Sequence, residues 1–68
     1  MKENAIRAIH ESLINNQRKQ MIRQIDSYGT YDFWSDYKFF LFELYADAIA
    51  VNEFFTDATI SYFRIKGR

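Results

Sequence analysis

The sequence predicts an all-α protein: an antiparallel hairpin of two long helices that dimerises into a four-helix bundle. Three observations carry this expectation. Proline is absent and glycine occurs only twice in 68 residues, so little interrupts a helix. Apolar residues recur with helical period on both sides of Gly29. The apolar supply is large, 49% of the chain with seven Phe, five Tyr and one Trp, and exceeds what one hairpin can bury between its own helices.

The first helix is expected over residues 4–28. Ile6, Ile9, Leu13, Ile14, Met21, Ile25 and Tyr28 form one stripe with His10 and Gln17, while Arg7, Glu11, Asn15, Lys19, Arg23 and Asp26 cover the rest. Such a helix would be about 35–40 Å long. Its stripe is thin where Asn15 to Gln20 supply no apolar side chain, so the helix must lean on a stronger partner.

A turn is expected over residues 29–31. Gly29 suits the left-handed conformation that closes a helix. Thr30 or Asp32 suits the cap of the next helix, and Asp32 and Asp36 suit its positive end. So short a connection makes the two helices antiparallel neighbours.

The second helix is expected over residues 32–65. Tyr37, Leu41, Leu44, Ala48, Val51, Phe55, Ala58, Tyr62 and Ile65 follow one another in 4-3 steps, with Trp34 just upstream, a pattern long enough for a coiled-coil or bundle seam. Leu41, Leu44, Ala48, Val51 and Phe55 are the expected homodimer seam. The cluster Thr56-Asp57-Ala58-Thr59 holds three weak helix formers and marks where this helix would bend. Phe39, Phe42, Ala46, Ile49, Ile60 and Phe63 lie well around from the seam, so large apolar residues occupy two sides of one helix. A symmetric dimer with the second helices inside would cover them.

Little in the chain suggests catalysis. His10 is the only histidine, and the residues one helical turn away are Ile6, Arg7, Leu13 and Ile14, which suit packing better than proton transfer. Without cysteine there is neither a disulfide nor a thiolate metal site, and no Glu-x-x-His pair marks a carboxylate metal centre. The expectation is a non-enzyme with no cofactor and no bound metal. No run approaches the length of a membrane span, and no continuous hydrophobic segment follows Met1-Lys2-Glu3-Asn4, so a cytoplasmic protein that does not use a membrane is expected.

Net charge is zero, but its distribution is uneven. Residues 31–61 carry Asp32, Asp36, Glu43, Asp47, Glu53 and Asp57 against the single base Lys38. The bland explanation is a solvated helix surface. The functional one is a docking face, an acidic and aromatic surface formed by Asp36, Phe39, Glu43, Asp47 and Phe54 that suits a protein partner with a basic or mixed apolar surface. A small regulatory or inhibitory protein follows from that choice. The alternative is a dimeric nucleic-acid-binding module using Arg18, Lys19 and Arg23 in the polar middle of the first helix, although three bases are a small footprint and no helix-turn-helix signature is present.

Overall fold

The computed structural model describes residues 2–67 and contains four helices. They are α1 (Glu3–Ile14), α2 (Arg18–Tyr28), α3 (Thr30–Tyr45) and α4 (Ala48–Lys66). Each helix of the expected hairpin is therefore broken once. The result is a four-helix bundle built within one chain, and dimerisation is not needed to make it.

The first break replaces the thin stretch of the stripe. Asn16 takes a left-handed conformation, φ 62°, which Asn tolerates better than most residues because its short side chain bonds locally. Two backbone bonds then close α1: Gln17 N–H donates to Ser12 O at 2.8 Å and Asn16 N–H to Leu13 O at 3.1 Å. Continuing the helix through this polar run would bury nothing. Reversing it lays Met21, Ile22 and Ile25 of α2 against Ile6, Ile9 and Leu13 of α1, all of them buried.

At the second junction a single residue, Gly29, separates α2 from α3. Its φ of 113° is strained for any L side chain, even though a Cβ there would meet no neighbouring atom within 4 Å. The third break falls inside the apparent seam. Ala46 is left-handed, φ 51°, and Asp47 then caps α4 by accepting a hydrogen bond from Ile49 N–H at 2.9 Å. Helix α4 runs unbroken through Thr56 to Thr59, where the Thr59 hydroxyl bonds back to Phe55 O at 2.8 Å.

This third break overturns the dimer expectation. A straight helix from Thr30 to Lys66 would be about 55 Å long, whereas the whole molecule measures 33 × 23 × 21 Å. Folding back places α3 and α4 side by side as one layer, packed across α1 and α2 as the other. Closing the core within one chain avoids the translational and rotational entropy lost on association. The 4-3 pattern was an internal one. Leu41 and Val51 are fully buried in the single-chain core and Phe55 packs at its edge, while Leu44 and Ala48 lie at the surface near the turn.

The two layers contribute different chemistry to the core. Helices α1 and α2 supply Ile6, Ile9, Leu13, Met21, Ile22 and Ile25. Helices α3 and α4 supply rings, with Phe33, Tyr37, Phe40 and Tyr62 buried beside Leu41, Val51 and Ala58. Polar ties fix the layers at their ends. Tyr62 donates to Asp26 at 2.7 Å and Lys66 Nζ lies 2.9 Å from the same carboxylate, joining the end of α4 to α2. Those two donors hold the Asp26 carboxyl below its ordinary value.

Candidate interaction face and the polar junction beneath it

Helix α3 is apolar on two opposite sides. Phe33, Tyr37, Phe40 and Leu41 point into the core, and the outer side carries Tyr31, Phe39 and Phe42, which are 88%, 58% and 44% exposed. Along one edge of this aromatic row lie Asp32, Asp36 and Glu43, as their spacings of four and seven residues require.

The residues expected to bind a partner do not all gather there. Asp36, Phe39 and Glu43 share the outer part of α3, with Phe39 and Glu43 exposed. The half-buried Asp36 carboxylate accepts a hydrogen bond from Tyr28 Oη at 2.5 Å, which ties α2 to α3. Desolvation, with Asp36 adding to it, pushes the Tyr28 phenol up to about 12. Asp47 sits at the turn as the cap of α4. Phe54 turns inward from α4, stacked on Tyr45 with centroids 5.1 Å apart and edge-on to His10 at 4.9 Å.

Helix α4 also has an uncovered side. Ile49, Ile60 and Phe63 are 71%, 49% and 61% exposed, at spacings that place them along one stripe. Phe63 lies parallel to Trp34 of α3 at 6.3 Å, so the uncovered sides of α3 and α4 meet over this pair.

The basic residues expected to contact nucleic acid all lie on α2, after the break that ends α1. Arg18 is directed back into the molecule, donating to Leu13 O at 3.2 Å and pairing with Asp57 at 3.5 Å. Lys19 and Arg23 remain exposed, one turn apart on α2.

Beneath the aromatic layer His10 is 3% exposed, with Tyr37 Oη 2.7 Å from Nδ1 and Tyr45 Oη 2.8 Å from Nε2. In a neutral imidazole one nitrogen donates and the other accepts, so one tyrosine accepts from His10 while the other donates to it. Burial, reinforced by the Arg7 cation and opposed by Glu11, holds the His10 pKa below its ordinary value. This histidine joins α1, α3 and, through Phe54, α4. Sequence spacing gave no sign of it, because its partners lie 27 and 35 residues away.

Among the described residues no helix is long and apolar enough to cross a membrane, and no group of three or more acidic, His or Cys side chains is placed to hold a metal. No protein-family model, curated protein or solved structure shows significant similarity to this chain. Its function is therefore read from its own surface.

Proposed function

We propose that this is a small regulatory or inhibitory protein that acts by binding another protein through the outer, acidic and aromatic face of α3. One observation carries the proposal: the core closes within the chain, with no unsatisfied buried side-chain polar atom among the described residues, and yet Tyr31, Phe39 and Phe42 stay uncovered. Large aromatic side chains left outside a finished core are the common material of protein interfaces. The adjoining carboxylates Asp32 and Glu43 make no ion pair among the described residues, so they are available to a basic, partly apolar surface. We take the site of action to be the cytoplasm, which fractionation of native cells tests.

Affinity capture from the lysate of native cells, using the wild-type protein and a Phe39→Asp/Glu43→Arg variant, tests the binding face. Both positions are exposed, so the variant keeps its helical signal. The proposal expects a specific protein held by the wild type and lost from the variant. Capture of nothing specific, or equal retention by both, would contradict it.

A further inference from the structure

We infer that the whole outer surface of the α3–α4 layer is a seat for one basic amphipathic helix of a partner protein, an inference that deepens the function proposed above and rests on it. The seat has two apolar rows. Tyr31, Phe39 and Phe42 stand on α3, and Ile49, Ile60 and Phe63 stand on α4. Between them Trp34 contacts Phe63 and Phe55, and the Lys38 ammonium lies 5.7 Å from the centre of the Phe55 ring, giving the groove an aromatic floor. A helix lies naturally in the groove between two antiparallel helices, with apolar side chains at spacings of three and four residues reaching both rows.

Charge selects the kind of helix. By helical spacing, Asp32 and Glu43 border the α3 row on the edge away from α4, and the α4 row is bordered on the edge away from α3 by Glu53, by Asp57, which pairs with Arg18, and by Arg64. The α3 rim is therefore acidic, and the α4 rim is mixed. A helix seated between them gains from Lys and Arg on the flank of its apolar stripe that lies against α3. An anionic membrane would be repelled by the acidic α3 rim. From Ile49 to Phe63 the α4 row extends about 21 Å, which matches a partner helix of about 14 residues.

Trp34, the only tryptophan, reports on the groove. The probe is a synthetic tryptophan-free helix of about 14 residues, with leucine on one face and lysine on its flanks. Titrated into the full-length protein, it should change Trp34 emission saturably and one to one. Phe42→Asp and Ile60→Asp, on the two opposite rows, should each weaken binding about tenfold or more. Ile14→Asp, an exposed apolar position on the other layer, should leave it unchanged, and a glutamate version of the peptide should not bind. Circular dichroism confirms that each variant remains helical.

Absence of a saturable change with the lysine peptide overturns the inference. Weakening by Phe42→Asp without weakening by Ile60→Asp overturns the two-helix seat while leaving the α3 face standing. Tighter binding to lipid vesicles than to the peptide would reassign the surface to a membrane. A doubling of mass in the absence of peptide would reassign it to self-association.

Discussion

The two layers of the bundle solve the same packing problem with different surpluses. Helices α1 and α2 turn aliphatic residues inward and polar ones outward, leaving Ile14 as their one large exposed apolar side chain among the described residues. Helices α3 and α4 face the same core with rings and still expose Tyr31, Phe39, Phe42, Leu44, Ile49, Ile60 and Phe63. A helix pair selected only to close a core has no use for a second apolar side, which lowers solubility. The excess in the second layer is the part of the sequence that folding does not explain.

The sharpest way to break this comparison is to remove a ring from each side of α3. Phe33→Ala empties a fully buried site and should cost about 3–5 kcal/mol, enough to unfold a domain of this size. Phe39→Ala, on the outer side of the same helix, should change stability by less than about 0.5 kcal/mol. Urea denaturation measures both. Comparable losses would mean that the outer ring is structural and that the two sides do not differ.

Next comes the polar junction between the layers. Because the folded pKa of His10 lies below its ordinary value of 6.5, the unfolded chain binds the proton first. Stability is then full above the unfolded value and falls as pH drops through 6.5 toward the folded pKa, with a slope of at most about 1.4 kcal/mol per pH unit. Asp26, whose pKa is lowered from 3.8, adds a separate loss in more acidic solution. Thermal melts of the wild type and of His10→Gln across pH 4–7 check the assignment: the variant starts less stable and should lack the decline below 6.5. A decline of equal slope in both proteins would remove His10 as its source.

Smaller effects are expected at the turn that folds the second layer back. Asp47→Ala removes the cap of α4 and should cost about 1 kcal/mol. Ala46→Gly should stabilise the protein by about 0.5–1 kcal/mol, since glycine relieves the left-handed strain at φ 51°. Chemical denaturation resolves the two signs. A destabilising Ala46→Gly would show that the gain in unfolded-chain entropy outweighs the relieved strain.

These turns also explain what the sequence could and could not disclose. The all-helical class was legible because nothing but Gly29 forbids helix over long stretches, and Gly29 announces itself by residue type. Asn16 and Ala46 do not. Asparagine is ordinary in a polar helix face, and alanine is the strongest helix former of all, so a left-handed alanine carries no local signature. Its conformation is imposed by the core that α4 completes on returning to the bundle. The 4-3 pattern across Leu41, Leu44, Ala48 and Val51 keeps its phase through this turn, which made an internal core look like a seam between two chains. The outer face was legible in part: Phe39 and Glu43 stand exposed on it, whereas Phe54 was drawn inward by Tyr45 and His10, long-range partners that helical spacing does not reveal.

The claim on which the rest depends is that one chain closes its own core and leaves the α3–α4 surface uncovered. Light scattering on a sizing column, paired with circular dichroism through serial dilution, tests it most directly. The structure predicts full helicity at every concentration and, in the dilute samples, a mass of 8.2 kDa. Helicity that disappears on dilution, with twice that mass wherever the protein is folded, would show that the bundle needs a second copy and would contradict the account.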